Sequence, residues 1–288
     1  MFMEIKGHEP KELSKMDDLE KKILKIPFGL KFLRRLPLPR KIGLLGRIYG
    51  KALERLGVGW VETTPGPLWK LDLRNMTHRW IVLGDYEGPG FLSWARRWIG
   101  EDSTVVDSGA NIGQVLLYLA PRIRTGRYIA VEPHPVARKW LKECLGRYPQ
   151  WRVKVEEFGL GEKAGRASLE GQWGGESAVG SHTELRVGAG EIEITKMDDY
   201  ARSQGLKKID LWKLDMEGGE EAALRGAKEM LSARRIRALV METGKERFSG
   251  MAEMLGPYGY RPQNWDGRFL GHKEVSSHQN VLFVAEGA

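Results

Sequence analysis

Short apolar runs and longer stretches of helical period alternate along the chain from residue 104 onward. The apolar runs are rich in β-branched residues and are bounded by turn residues, which is typical of buried parallel strands. The pattern predicts strands at 104–107, 127–132, 151–157, 209–215 and 236–242, with helices at 113–121, 135–146 and 219–232. Strands that alternate with helices in this way predict an α/β fold built on a parallel sheet.

The alternation is interrupted once and changes near the end of the chain. Between the third and fourth predicted strands, two strand-like runs at 167–170 and 191–196 flank a glycine-rich segment, residues 171–190. Residues 258–285 have the pattern of two further strands. Residues 60–90 have the pattern of short strands and turns. We therefore expect a Rossmann-like, mostly parallel seven-stranded sheet whose last two strands depart from the parallel order.

The part of the chain before residue 59 has a different pattern. Apolar residues recur at helical spacing between residues 42 and 56, and Pro37 and Pro39 separate this predicted helix from an earlier one at 19–36. The predicted apolar face of the later helix contains Ile42, Leu45, Ile48, Tyr49, Ala52, Leu53 and Leu56. We expect a helical N-terminal extension at 1–58 and the main domain at 59–288.

This extension carries the excess positive charge of the chain. Residues 21–55 contain eleven Lys or Arg against one acid, Glu54, so their net charge is +10, whereas the whole chain has +8. The remainder is therefore close to neutral. A basic amphipathic helix pair fits peripheral contact of residues 21–56 with an anionic membrane, or with an acidic partner. It also fits a helical lid or a homo-oligomer contact with solvated charges, which is the more common case.

The turn after the first predicted strand has the order Asp-x-Gly-x-Asn-x-Gly, formed by Asp107, Gly109, Asn111 and Gly113. A strand, a glycine turn and a helix start bring backbone N–H groups up to a nucleotide-like ligand. An aspartate facing the ligand repels a pyrophosphate but suits a ligand with an ammonium and a sulfonium. The turn therefore favours S-adenosylmethionine, with a dinucleotide as the minor alternative.

Acidic residues also end the second and third predicted strands. Glu132, followed by Pro133, is at the position where a doubly wound sheet hydrogen-bonds the ribose hydroxyls of an adenosine ligand. A lone glutamate there would more simply be a solvated strand end, but the preceding turn favours a cofactor role. Glu157 and Phe158 follow the third strand, where a carboxylate can accept from the adenine amine and a ring can stack on adenine. These residues are expected to complete the cofactor site.

S-adenosylmethionine is a methyl donor, and an alcohol that accepts its methyl group needs a base that takes up the hydroxyl proton. Asp215, at the end of the fourth predicted strand, is the first candidate for this base and is also expected to contact the cofactor. His278 is the second candidate and His134 the third. Lys213 is expected to steer or polarise the substrate, unless it points to solvent.

Other acids near these strand ends have simpler interpretations. Glu217 and Glu220 are expected to cap the following helix. Asp215 and Glu242 end neighbouring strands and have the oxygen ligands that Mg²⁺ prefers. The sequence has no dedicated cluster of metal ligands, so we expect that no metal is required.

Several motifs, in this order and spacing, resemble the FkbM-type S-adenosylmethionine-dependent methyltransferases, from about residue 84 to the end of the chain. They are Gly-Asp-Tyr-Glu at 84–87, Val-Asp-Ser-Gly-Ala-Asn-Ile-Gly-Gln at 106–114, Glu-Pro-His-Pro at 132–135, Gly-Leu-Gly-Glu-Lys-Ala-Gly at 159–165, Met-Asp-Asp-Tyr at 197–200, Ile-Asp-Leu-Trp-Lys-Leu-Asp-Met-Glu-Gly-Gly-Glu at 209–220 and Leu-Arg-Gly-Ala at 224–227. The resemblance implies a class I methyltransferase fold with S-adenosylmethionine as cofactor, and it adds Glu87 to the expected cofactor site. Ser108 and Gly219 depart from the family pattern by small-for-small changes.

The resemblance implies methylation of a hydroxyl on a sugar, a glycoconjugate or a natural product. N-methylation of a peptide side-chain amide is the alternative. RNA methylation is a second alternative, which the near-neutral main domain disfavours. A binding role with the chemistry lost is also open, although the intact turn, Glu132 and Asp215 speak against it. The glycine-rich segment, with Trp173, Ser177 and His182, is expected to select a small-molecule, glycan or peptide acceptor.

The sequence also suggests a compartment. It has one cysteine, Cys144, no apolar run of about 18 residues and no signal-like apolar start. These features indicate a cytoplasmic protein, with membrane association only at the surface.

Overall fold

The computed structural model describes residues 22–36, 40–84, 89–172, 182–276 and 279–288. These residues form two compact units that divide near residue 86. The first unit contains the elements β1 (Ile23–Leu24), α1 (Phe28–Leu33), α2 (Lys41–Glu54), β2 (Val58–Glu62), β3 (Leu68–Asp72) and α3 (Met76–Leu83). The predicted boundary between residues 58 and 59 falls inside β2.

In the first unit, the N-terminal segment contributes a strand as well as helices. β1 pairs in parallel with β2, which pairs antiparallel with β3. Gly59 allows this pairing, because a Cβ atom there would lie 2.8 Å from the Leu24 side chain. The helix predicted at 19–36 is therefore wrong in its described part: only Phe28–Leu33 is helical. The helix α3 was missed, since residues 60–90 were predicted as strands and turns.

The second helix of this unit also differs from its prediction. α2 packs against α3, and its buried residues are Leu45 and Leu53. Ile48, which was predicted on the apolar face, is exposed together with Leu44. Arg34 is fully buried beside Glu62, to whose carbonyl oxygen its Nη1 donates at 2.7 Å.

The second unit contains a central sheet, a small sheet and the helices around them. Its elements are α4 (Pro89–Trp98), β4 (Thr104–Ser108), α5 (Leu116–Leu119), β5 (Arg127–Val131), α6 (Pro135–Leu145), β6 (Val153–Glu156), β7 (Gly159–Leu160), β8 (Gly165–Gln172), β9 (His182–Val187), β10 (Ile192–Thr195), α7 (Met197–Ser203), β11 (Leu211–Leu214), α8 (Glu220–Arg225), α9 (Lys228–Ser232), β12 (Ala238–Thr243), α10 (Lys245–Leu255), β13 (Tyr260–Gln263) and β14 (Gln279–Ala285).

The central sheet has seven strands in the order β13-β14-β12-β11-β4-β5-β6. Five of them are mutually parallel, and β14 lies antiparallel between β12 and β13. The doubly wound order with a reversed, inserted last strand confirms the predicted fold class. Because the five parallel strands run the same way, their carboxyl ends meet at one edge of the sheet.

The helix predicted at 219–232 is broken at Gly226 into α8 and α9. The Gly226 carbonyl oxygen accepts from the backbone nitrogen of Asp198 at 3.0 Å. The Asp198 carboxylate in turn accepts from the backbone nitrogens of Glu229 and Met230 and so caps α9. A Cβ atom on Gly226 would lie 2.1 Å from the Gly161 carbonyl oxygen, so the chain passes too closely here for a larger residue.

The strand-like runs predicted at 167–170 and 191–196 correspond to β8 and β10. They belong to a four-stranded sheet of order β7-β10-β8-β9. Most of the predicted substrate loop, with Trp173 and Ser177, lies outside the described residues, and His182 begins β9. Among the helices in the described part of the chain, none has the length and apolar character to cross a bilayer.

Candidate active site

The turn after β4 is held against the end of β11. Gly109 has a φ of 81°, and a Cβ atom there would lie 1.7 Å from the Asp215 carbonyl oxygen. The backbone nitrogens of Gly109 and Ala110 both donate to the Val131 carbonyl oxygen, at 3.0 and 3.2 Å. Gly109 is therefore required by the backbone of the neighbouring strand end. Gly113 closes the turn, also in the left-handed region, with a φ of 88°.

Glu132 lies buried at the end of β5 and binds the same turn. Its Oε2 accepts from the backbone nitrogen of Asn111 and its Oε1 from that of His134, each at 2.7 Å. Asn111 has a φ of 49°, in the left-handed region that asparagine tolerates. Burial raises the pKa of Glu132 to about 7, against the lowering effect of the two backbone hydrogen bonds. The carboxyl group is thus a preoriented acceptor in a site that keeps water away.

Asp107 is the penultimate residue of β4 and lies beside Lys213 of β11 in the sheet. Its side chain is buried, and the Tyr128 hydroxyl donates to its Oδ2 at 2.6 Å. Burial raises the pKa of Asp107, an effect that the Lys213 ammonium and the Tyr128 hydrogen bond oppose. That the aspartate faces the ligand stays a prediction.

Lys213, Asp215 and Glu242 form a charged cluster at the ends of β11 and β12. The buried Lys213 Nζ lies 2.7 Å from Asp215 Oδ2. Burial, together with the negative charge of Asp215 and a hydrogen bond between the two carboxyl groups, raises the pKa of Glu242 to about 8, against the lowering effect of the Lys213 ammonium. Glu242 is therefore the member of the pair that retains a proton more readily, beside the Lys213 ammonium group. Asp215 is partly exposed, so the cluster can be reached from the edge of the sheet.

Glu157 and Phe158, which were predicted to bind adenine, contact other protein side chains. Glu157 is exposed and forms ion pairs with Lys142 at 2.8 Å and Arg138 at 3.3 Å. The hydrogen bond from Lys142 is the main cause of a lowered pKa at Glu157. The Phe158 ring packs against Tyr200 at 5.0 Å between centroids, with the rings tilted by 57°. Their contact with adenine stays a prediction.

Arg138 is a site residue that the sequence did not reveal. Its Nη1 donates to the carbonyl oxygens of Glu132 and Pro133, at 3.1 and 2.8 Å, and its Nη2 pairs with Glu157. It thereby ties together the ends of β5 and β6. One feature of the sequence could have indicated such a role: Arg138 is a basic residue near the start of a helix, where acidic residues are usually favoured.

The histidines predicted as secondary bases divide into two cases. His134 is the N-cap of α6, where its Nδ1 accepts from the backbone nitrogen of Val136 at 3.2 Å, and burial lowers its pKa. His278 and the predicted cofactor residue Glu87 lie outside the described residues. Glu220 was predicted to cap the following helix, but it is the first residue of α8, and its Oε1 accepts from the backbone nitrogens of Met216 and Gly218 in the turn before that helix.

No group of three or more His, Cys, Asp or Glu among the described residues is arranged to hold a metal ion. The expectation that no metal is required stays a prediction. S-adenosylmethionine, in contrast, fits the residues that are present. Glu132 offers a buried, acceptor-only carboxylate when ionised, which suits the two hydroxyl donors of a ribose. The backbone nitrogen of Asn111, in the turn after β4, donates to the same carboxylate.

The strand order and the acids at the carboxyl edge define a class I S-adenosylmethionine-dependent methyltransferase fold. The chain belongs to the FkbM methyltransferase family, because the model of the FkbM methyltransferase domain matches residues 107–262, more than half of the chain.

Three curated relatives show how far the similarity extends. Methyltransferase sdnD of Sordaria araneosa is 30% identical over 190 residues, which cover 55% of this chain and 69% of the relative. The 2-O-methyltransferase NoeI of Sinorhizobium fredii is 26% identical over 154 residues, 47% of this chain and 61% of the relative. The AMB antimetabolite synthetase AmbE of Pseudomonas aeruginosa is 28% identical over 186 residues, 51% of this chain and 8% of the relative. The matched stretch thus covers only part of each relative's length.

Proposed function

We propose that this protein transfers a methyl group to a hydroxyl of a sugar, a glycoconjugate or a related natural product. The observation that carries the proposal is the charged cluster of Lys213, Asp215 and Glu242 at the edge of the sheet. A pair of carboxyl groups that share a proton is a device for taking up and releasing protons near neutral pH. The name of the relative NoeI, a 2-O-methyltransferase, supports a hydroxyl acceptor.

When bound, S-adenosylmethionine supplies a methyl group on a sulfonium, and Glu132 and the turn through Asn111 would hold it. Asp215 orients the acceptor hydroxyl by accepting its hydrogen bond. The acceptor oxygen would take the methyl group of the bound cofactor, and the ionised pair of Asp215 and Glu242 would take up the hydroxyl proton. The Lys213 ammonium, 2.7 Å from Asp215, offsets the negative charge of the doubly ionised pair. The products are a methyl ether, S-adenosylhomocysteine and the singly protonated pair.

The test is methyl transfer from labelled S-adenosylmethionine to a panel of hydroxylated sugars, glycoconjugates and natural products, with peptide amides as the competing class. The Asp215→Asn variant is compared with the wild type and with Glu221→Gln, which changes an exposed ion pair of α8. The proposal requires a hydroxylated acceptor and a large loss of turnover in Asp215→Asn alone. Transfer only to amides, or an undiminished rate in Asp215→Asn, would overturn it.

A further inference from the structure

The first unit exposes an unusual group of large apolar side chains. Five of the eight strongly exposed large apolar residues in the described chain lie between residues 23 and 48. Their exposed fractions are 57% for Ile23, 89% for Phe28, 66% for Phe32, 47% for Leu44 and 58% for Ile48. We call these five the apolar surface. These five side chains are therefore not part of the core of the unit.

Helix geometry places these side chains in pairs. Phe28 and Phe32 are four residues apart on α1, and Leu44 and Ile48 are four residues apart on α2, so each pair lies on one side of its helix. In α1 the buried residue is Leu30, between the two phenylalanines in sequence and on a different side of the helix.

The two helices are neighbours. A Cβ atom on Gly29 of α1 would lie 2.7 Å from the Tyr49 hydroxyl of α2, so the helices touch at this glycine. The residues that flank this contact in sequence, Phe28 and Ile48, both belong to the apolar surface. The two pairs therefore belong to one region of the unit.

Exposed basic side chains occur in the same stretch of the chain as the apolar surface. They are Lys22, Lys25, Lys31, Arg35, Arg40, Arg47, Lys51 and Arg55, and the exposed acid in the same described stretch is Glu54. On α2, Leu44, Ile48, Lys51 and Arg55 follow one another at spacings of four, three and four residues, so apolar and basic side chains share one exposed stripe. Lys51 and Arg55 also line an open pocket with Arg74 and Glu54.

We propose that this surface binds an anionic lipid bilayer, with the five apolar side chains in the acyl boundary and the basic side chains at the phosphates. Phenylalanine, leucine and isoleucine beside Lys and Arg are the composition of interfacial membrane segments. Three of the five apolar residues are aliphatic, and aliphatic side chains do not stack on bases, which favours a bilayer over a nucleic acid. The positive charge selects phosphatidylserine-like headgroups over neutral ones.

The test is flotation of the full chain with vesicles of phosphatidylcholine, with and without phosphatidylserine. The variants are Phe28→Ser with Phe32→Ser, Leu44→Ser with Ile48→Ser, and the triple Lys25→Gln, Arg47→Gln, Lys51→Gln. Phe269→Ser is the matched control, because Phe269 is equally exposed but lies in the second unit. S-adenosylhomocysteine binding, measured on every variant, verifies that the chain remains folded.

The wild type and the Phe269→Ser control should float with phosphatidylserine vesicles and much less with pure phosphatidylcholine. Each apolar double variant should lose at least about tenfold in partitioning, and the basic triple variant should lose its preference for anionic vesicles. Absence of binding to anionic vesicles, or binding that survives both apolar double variants, would overturn the proposal. So would a shift from dimer to monomer in the apolar variants without vesicles, or a salt-sensitive loss of RNA binding in the triple variant, since either would identify a different occupant.

Discussion

The Oε2 atom of Glu132 lies 2.7 Å from the backbone nitrogen of Asn111, and this hydrogen bond joins the end of β5 to the turn after β4. The carboxyl group is buried, yet its two described donors are both backbone N–H groups. Each carboxylate oxygen can accept more than one hydrogen bond, so capacity remains for ribose hydroxyls. We therefore expect cofactor binding to depend on the protonation state of Glu132.

The affinity for S-adenosylhomocysteine should therefore rise with pH. Hydroxyl donors favour the ionised carboxylate, whose pKa is about 7 in the free protein because of burial. Below pH 7 the group must lose its proton on binding, and affinity should fall by up to about tenfold per pH unit. Calorimetry in buffers of different ionisation enthalpy should record the released proton. In Glu132→Gln the pH dependence should disappear, and a flat profile in the wild type would contradict the assignment.

The rate of methyl transfer should also rise with pH, through a different group. In the proposed mechanism the pair of Asp215 and Glu242 accepts the hydroxyl proton, so activity should require that Glu242, whose pKa is raised to about 8, be ionised. The value of kcat/KM should be lost progressively as pH falls below about 8. In Glu242→Gln this limb should vanish, with a lower plateau. A pH profile that Glu242→Gln leaves unchanged would exclude the pair as the proton acceptor.

Replacing Asp215 by asparagine should lower kcat by about 10²- to 10⁴-fold, the usual contribution of a general base. Binding of S-adenosylhomocysteine should change little, because the proposed role of Asp215 concerns the acceptor. Glu221→Gln, on the exposed side of α8, should behave as the wild type. Equal losses of kcat and of cofactor affinity would instead place Asp215 mainly in the cofactor site.

Gly109→Ala should destabilise the protein by about 2 kcal/mol or more, because it combines a left-handed φ with a clash at the Asp215 carbonyl oxygen. Gly205→Ala separates the two causes. Gly205 also has a positive φ, 60°, but no atom lies within 4 Å of its Cβ position. Urea unfolding should therefore give a clearly smaller loss for Gly205→Ala, and equal losses would show that the close approach at Gly109 is unimportant.

A buried side-chain hydrogen bond explains one departure from the family pattern. The Trp212 Nε1 donates to the Ser108 Oγ at 2.8 Å inside the core. Ser108→Ala should cost about 1–3 kcal/mol, since it leaves a buried N–H without this acceptor. The double variant Ser108→Ala with Trp212→Phe should be less destabilised than the sum of the single variants. Strict additivity in this double-mutant cycle would show that the hydrogen bond contributes nothing.

Much of the fold followed from the sequence, because strand and helix periods in the main domain agree with the tertiary structure. The strand-end acids Asp215 and Glu242 could be placed at one edge from the parallel topology alone. Arg138 could not be found this way, since its role depends on two loops that meet only in the folded chain. Ile48 was predicted on the buried face and is exposed. Because α2 has apolar residues on two sides, the sequence alone does not show which side packs against the core.

The ionisation of the acidic residues at the strand ends could be predicted only in part, because it depends on how the folded chain packs around them. Aspartate and glutamate at such positions predict an acidic edge, but burial decides which of them changes its pKa. Glu132 and Glu242 are raised by burial, whereas the exposed Glu157 is lowered by Lys142. Sequence position gives the location of these groups, and the packing around them determines their charge.

The most direct test of the account is calorimetric titration of the wild type, Glu132→Gln and Glu221→Gln with S-adenosylhomocysteine at pH 8, where Glu132 is mostly ionised. We predict one site per chain in the wild type and in Glu221→Gln, and a loss of at least about tenfold in affinity for Glu132→Gln. A wild type that binds no S-adenosylhomocysteine, or a Glu132→Gln variant that binds it as well as the wild type, would contradict the assignment of the cofactor to this edge of the sheet.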